Sequence, residues 1–150
     1  MLIKSILSTK RTVAKIEGGS KKRVIETLAQ NFANDIEGFD VDELYQSLIN
    51  REKLGTTGIG DGIAIPHCRF NTGGHTYGAC MTLASPIDFD AVDGKPVDII
   101  FAMLVPENAE SSHLESLASL AQLLQDADFV STIRSVSSDD ALFDAITSSS

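Results

Sequence analysis

VDIIFAMLV, Val97 to Val105, carries one charged residue, Asp98, and stops at Pro106. Its length and β-branched content predict a strand buried on both faces, the centre of a sheet. Upstream of it, Pro86–Lys95 is rich in turn formers and ends in Asp93-Gly94, a strong turn pair. Before that, Thr76–Ala84 (TYGACMTLA) reads as a second strand. Downstream, Ser112-His113-Leu114-Glu115 has the form of a capping box, and Leu114, Leu117, Ala118, Ala121 and Leu124 share one helical face. Two shorter helices are expected around Asp128–Ser135 and Asp139–Ile146. Nearer the N-terminus, Ser20 is placed to cap a helix whose apolar positions are Val24, Ile25, Leu28, Ala29 and Phe32. Asp40 with Glu43 forms a second capping box, ahead of Val41, Leu44, Tyr45, Leu48 and Ile49. Helices at both ends with strands between them predict one α/β domain over residues 1–150, with helices packed on the sheet.

Composition limits what such a domain does. No apolar run approaches the ~20 residues of a membrane span, so membrane insertion is not expected. The start, MLIKSILSTKR, lacks the long apolar core and small-residue cleavage site of a secretory signal. Two cysteines, Cys68 and Cys80, make neither a disulfide framework nor a four-ligand zinc site, which suits a cytoplasmic protein. The net charge is −9, unevenly spread: residues 1–23 hold seven Lys/Arg against one acid, and the other 127 residues carry −15. Such a body repels nucleic acid. The basic N-terminus either docks an acidic partner or forms a solvated helix face.

The chemistry gathers in TTGIGDGIAIPHCRF, Thr56 to Phe70. A loop from Thr57 punctuated by Gly58, Gly60 and Gly62 has the makings of a phosphate-binding loop, because glycine allows close approach and turns can aim N–H groups at an anion. Ile63–Ile65 is a short apolar stretch that Pro66 is expected to terminate, since proline withholds a ladder donor. His67 follows directly, with a fixed backbone address and access to solvent. A neutral imidazole there can attack a phosphoryl donor and form a covalent intermediate.

Three further residues belong with it. His113 sits in the first turn of a helix, where free N–H groups favour anions; it is either a phosphoryl-site residue or a partly exposed histidine near a cap. Arg51, at a helix end shortly before the glycines, either supplies a guanidinium to phosphoryl oxygens or satisfies the helix C-terminus. Arg69 serves the same chemistry or marks a partner-docking rim. His75, in a glycine-rich loop, is expected to be simply exposed. Cys68 and His67, adjacent in an extended segment, face opposite ways and do not make a nucleophile–base pair. No CxxC or HxxxH spacing supports a metal site, and no Gly-Lys-Ser/Thr follows the glycines as in a nucleotide-binding P-loop.

These residues together resemble the enzyme IIA domain of the bacterial phosphoenolpyruvate-dependent phosphotransferase system, of the mannitol/fructose/nitrogen type. The resemblance rests on Arg51-Glu52, on Thr57-Gly58-Ile59-Gly60 running to Ile65-Pro66-His67, on Pro86 to Asp98, on Phe101 to Pro106, and on His113-Leu114. Among stand-alone domains it is most similar to the nitrogen-regulatory type. The resemblance implies an α/β sandwich with a mixed sheet flanked by helices on both faces, and a phosphotransferase needing no cofactor. It implies that His67 accepts a phosphoryl group, on Nε2, from a histidine-containing phosphocarrier protein, with Arg51 and His113 in support. It also implies downstream regulatory proteins as partners, in nitrogen or potassium metabolism. A sugar-specific IIA component and a non-catalytic interaction module are the alternatives. Cys68 departs from the glycine common after the histidine, and is expected to make the site sensitive to oxidation.

Overall fold

The backbone follows the expected order and adds four strands to the two expected. The structure, a computed structural model, describes residues 3–109 and 111–148, and of Ser111–His113 the backbone alone. Two short 3-10 turns, Ile3–Ser5 and Thr9–Arg11, lead into β1 (Thr12–Ile16). Then come α1 (Lys21–Asp35), α2 (Val41–Leu54), β2 (Gly58–Gly60), β3 (Ile63–Ala64), β4 (His67–Phe70), β5 (Tyr77–Ile87) and β6 (Val97–Pro106). Three helices close the chain: α3 (Ser111–Leu123), α4 (Ala127–Ser135) and α5 (Asp139–Ser148).

The sheet is mixed, in the order β1-β5-β6-β3-β2, with β4 also on β6. β6 is its middle, as its composition demands. From Ile99 to Val105 its side chains alternate between two cores, in keeping with the two-residue period of a strand. Val97, Ile100, Ala102 and Leu104 join the α1 and α2 residues Ile25, Leu28, Phe32, Leu44 and Leu48 on one face. Ile99, Phe101, Met103 and Val105 join Leu120, Leu124, Phe129, Ile133, Leu142 and Ile146 of the C-terminal helices on the other. Helices cover both faces.

The caps are those read from the sequence, with shifts. Ser20 Oγ accepts from Arg23 N–H at 3.2 Å, and Asp40 Oδ2 from Glu43 N–H at 3.0 Å. α4 starts at Ala127 because Asp126, not Asp128, accepts from the N–H groups of Asp128 and Phe129. α3 begins at Ser111, so Ser112 lies inside the helix rather than capping it; its side chain is outside the described residues. The buried face of α3 is also rotated from the expected one: Ser116, Leu120 and Leu124 are buried, whereas Leu114 is 45% exposed. The first turns of α3 therefore overhang the core rather than sealing it. β5 runs on through Pro86 to Ile87, its register shifting between Thr82 and Ile87, where turn residues alone had suggested a loop.

The basic N-terminal residues divide: Lys4, Lys10, Lys22 and Arg23 are exposed, the last two on the first turn of α1, whereas others are engaged within the fold. Arg11 is buried, its Nε donating to Gly78 O at 2.9 Å, its Nη2 to Ile6 O at 2.8 Å, and its Nη1 pairing with Asp35. Such a charge is tolerable inside only because it is fully partnered. Lys15 donates to Arg134 O at 2.7 Å, and Lys21 pairs with Glu52 at 3.0 Å.

Candidate active site

Pro66 does not end the ladder. β3 and β4 both run parallel to β6 in unbroken register, Ile63 opposite Ile99 and His67 opposite Met103. Proline costs nothing here because its carbonyl, not its missing N–H, is what the neighbour needs: Met103 N–H donates to Pro66 O at 2.9 Å. In a strand both backbone groups of a residue point the same way and successive residues alternate. The even-numbered residues of this stretch thus bond β6. The odd-numbered ones face the opposite side, as Ile65 N–H does in donating to Thr57 O at 2.9 Å.

His67 opens β4. Its Nδ1 lies 2.7 Å from Ile65 O. A carbonyl only accepts, so Nδ1 carries the proton and Nε2 is left with its lone pair. Burial holds the imidazole pKa below its ordinary 6.5; the Ile65 bond opposes this, the Arg51 charge adds to it, and the Glu52 charge opposes it. The ring is neutral at pH 7, with its free lone pair on Nε2.

A cleft of about 530 Å³ surrounds it, between α2, β4 and α3. Arg51, Asn50, Ser47 and Leu54 of α2 form one wall, Leu114 and Leu117 of α3 another. Arg51 uses Nη1 to hold Gly55 O at 3.0 Å, one of five guanidinium donors. The helix-terminus role and the site role are thus compatible. Arg69 shares the cleft, donating to Glu107 O at 3.2 Å. The backbone of His113 lies in the first turn of α3, three residues before Leu117's neighbour Ser116; its side chain is outside the described residues.

The glycines are placed differently. Asp61-Gly62, with φ of 57° and 79°, is the two-residue turn of a β2–β3 hairpin, the geometry Asp-Gly favours. Gly60 pairs with Ile63, whose partner on β6 is Ile99, four residues from the partner of His67. That is about 13 Å along the sheet. The structure does not bring Gly60 or Gly62 to His67. Gly58 packs on the loop before β6: a Cβ there would stand 2.8 Å from Ala91 Cα. Thr57 is nearer, but its hydroxyl and its N–H both go to the Glu52 carboxylate.

Glu52 was not among the expected site residues. It is buried at the end of α2, where the helix dipole disfavours an acid, and it is held there by Thr57 and Lys21. This cluster fixes Thr57, whose carbonyl fixes Ile65, whose carbonyl orients His67. An acid in the last turn of a helix was the available clue. Cys68 points away into the α1–α2 core, its thiol pushed up to about 12 by burial. That opposes the expected oxidation sensitivity, because the thiolate is the reactive form. His75 is exposed, as expected.

A family model described as "Phosphoenolpyruvate-dependent sugar phosphotransferase system, EIIA 2" matches residues 5–149. The chain belongs to this family. Among EIIA 2 relatives, a nitrogen regulatory protein of Pseudomonas aeruginosa is 43% identical over 144 residues, covering 96% of this chain and 94% of its own. One of Escherichia coli is 35% identical over 146 residues, covering 97% and 89%. The crystal structure of nitrogen regulatory protein IIA-Ntr from Neisseria meningitidis superposes with a TM-score of 0.89 at 38% identity, over 97% of this chain and 99% of that one. The mannitol IIA of Escherichia coli shares the fold, with a TM-score of 0.74 at 17% identity over 93% and 97%. Among the described residues, no helix is long and apolar enough to cross a membrane, and no three His, Cys, Asp or Glu group to hold a metal ion.

Proposed function

We propose that this EIIA 2 protein is a phosphocarrier that takes a phosphoryl group onto His67 Nε2 from a histidine-containing phosphocarrier protein. The observation that carries the reading is the 2.7 Å bond from His67 Nδ1 to Ile65 O, which leaves Nε2 as the nucleophile. The Nε2 lone pair forms the new N–P bond as the donor's N–P bond breaks, and the donor imidazole recovers its electron pair. The ring gains positive character, which the Ile65 carbonyl stabilises through Nδ1–H. Arg51 neutralises the phosphoryl oxygens from across the cleft; phosphoryl transfer asks a protein chiefly for such positioning and charge. His113 assists from α3, Arg69 lies on the docking rim, and Thr57 supports the acceptor through Ile65, with Gly58 holding the neighbouring backbone beside Ala64. The output is regulatory, as the names of the relatives suggest.

The test is intact mass after incubation with phosphoenolpyruvate, the system's enzyme I and its histidine phosphocarrier. Wild type should gain one acid-labile phosphoryl group and His67→Ala none. Heteronuclear NMR of the product should identify Nε2 phosphohistidine. His113→Ala should be labelled more slowly at the same atom; label carried by His113 itself would invert the assignment.

A further inference from the structure

The fold keeps Gly60 and Gly62 away from His67, and it commits the Thr57 hydroxyl and N–H to Glu52. The donors expected from the glycine loop therefore have to come from elsewhere. The wall of α2 offers them. Ser47, Asn50, Arg51 and Leu54 line the His67 cleft, at a spacing of i, i+3, i+4 and i+7 that sets them on one helical face. Ser47, Asn50 and Arg51 stand within about one turn, ~6 Å of helix axis. Three oxygens on one phosphorus, each met at hydrogen-bond length, can bridge such a spacing.

Both neutral residues have donors to spare. Gln46 Nε2 donates to Asn50 Oδ1 at 2.9 Å, which ties up the carbonyl end of the Asn50 amide and leaves the Nδ2 protons without a partner among the described residues. Ser47 differs from the threonines of the helices. Thr27, Thr132 and Thr147 each donate to the carbonyl four residues back, at 2.9, 2.9 and 2.8 Å, a common fate of a hydroxyl within a helix. Ser47 makes no such bond among the described residues, although it is half-buried against the cleft. Its proton is left for whatever occupies the cleft. We propose that Ser47 Oγ–H and Asn50 Nδ2–H bind phosphoryl oxygens beside Arg51, an inference that rests on His67 as the acceptor. No bond to either residue is made or broken in the transfer, and both keep their protons. Preorganised neutral donors gain strength as charge gathers on the oxygens. Charge-assisted bonds are roughly twice as strong as neutral ones, so a second cation would hold the group more tightly than a carrier needs.

The test is rapid-quench labelling of the whole chain by purified, phosphorylated histidine phosphocarrier, with the rate followed against carrier concentration. Ser47→Ala and Asn50→Ala should each lower the saturating rate about three- to tenfold, the worth of one hydrogen bond, and the double variant about twentyfold or more. Asn50→Asp keeps the shape, loses the donors and sets a like charge against the phosphoryl group, so it should be slower than Asn50→Ala by about threefold or more. The half-saturating carrier concentration should stay within about twofold of wild type, because the bonds form to the group in transfer rather than to the partner. Thermal unfolding should shift by no more than about 2 °C, as for other helix-surface changes. On labelling, the Asn50 Nδ2 protons should move downfield in a proton–nitrogen spectrum, while those of Asn34, held in the same way by Gln30, should stay. Wild type that takes no label would fail the phosphocarrier reading and this inference with it. Labelled wild type with an equally fast double variant, with the loss confined to the half-saturating concentration, or with Asn50→Asp as fast as Asn50→Ala, would overturn this inference alone.

Discussion

Gly62→Ala separates a structural glycine from a phosphate-binding one. Alanine at φ 79° sits in the left-handed region, which costs about 1–2 kcal/mol. Its Cβ would stand 2.8 Å from Arg134 Nη2 and 2.9 Å from Asp98 Oδ1, against 3.4 Å or more for ordinary contact. Neither atom yields easily: Arg134 Nε donates to Asp98 Oδ2 at 2.9 Å, and Nη2 to Asp98 Oδ1 at 2.8 Å and Asp61 O at 3.0 Å. The pair is partly solvated, so loosening it adds only ~1 kcal/mol. Restricting the unfolded chain returns about 0.5 kcal/mol. The net is a loss of about 2 kcal/mol, or roughly 4–8 °C in Tm for a domain of this size. Urea and thermal unfolding measure it. Adding Arg134→Met removes the contact with Nη2 and frees Asp98 to move from the other, so the double variant should fall short of additivity by ~1 kcal/mol. Labelling of His67, measured well below the variant's Tm, should stay within twofold of wild type. A stability change under ~0.5 kcal/mol would refute the packing argument, and a tenfold slower labelling would return Gly62 to the phosphate.

Arg51→Ala should slow phosphorylation by about 10²-fold, the usual loss when one donor to a developing anion is removed. Its single bond to Gly55 O is exposed, so Tm should barely move; unchanged rates at unchanged stability would remove Arg51 from the mechanism. His67 should titrate below 6.5 by NMR. Its folded-state pKa is depressed, so the neutral ring contributes stability above the unfolded pKa, lost as pH falls through the folded one. Relative to His67→Gln, wild type should therefore weaken only below about pH 6.5; a midpoint above that value contradicts the burial argument. With thiols pushed up to about 12, Cys68 and Cys80 should resist alkylation at pH 8 until the protein unfolds, and rapid native-state labelling of Cys68 would mean that the core opens beside the site.

Legibility in the sequence followed the strength of local signals. α1, α2 and β6 were readable because their apolar residues repeat at the period of the element, or fill it outright. β1 was missed: TVAKI is short and lies among lysines, so charge masked its β-branched character. The β2–β3 hairpin was missed because three glycines suggested a ligand loop, although Asp61-Gly62 between GIG and IAI is a hairpin signal in its own right. β4 was missed because a proline stop is a local rule, whereas strand pairing is decided by which backbone group the neighbour needs. For the site, His67, Arg51 and Arg69 were recoverable and do share one cleft. Glu52 was not, because its value lies in partners 5 and 31 residues away that only the folded chain assembles.

Gly55-Thr56, the link from α2 into β2, has a consequence for how the family can vary in length. It delivers the chain to the sheet margin at Thr57 and leaves the last turn of α2 standing where another strand would run. The same two residues thus set the reach of Arg51 toward His67 and the width of the opening beside β4. One inserted residue would move both together and pull Thr57 from Glu52. Insertions and deletions among relatives should therefore collect at the exposed Gly73–His75 tip and be absent between Leu54 and Thr57, with the short link acting as a ruler for the site.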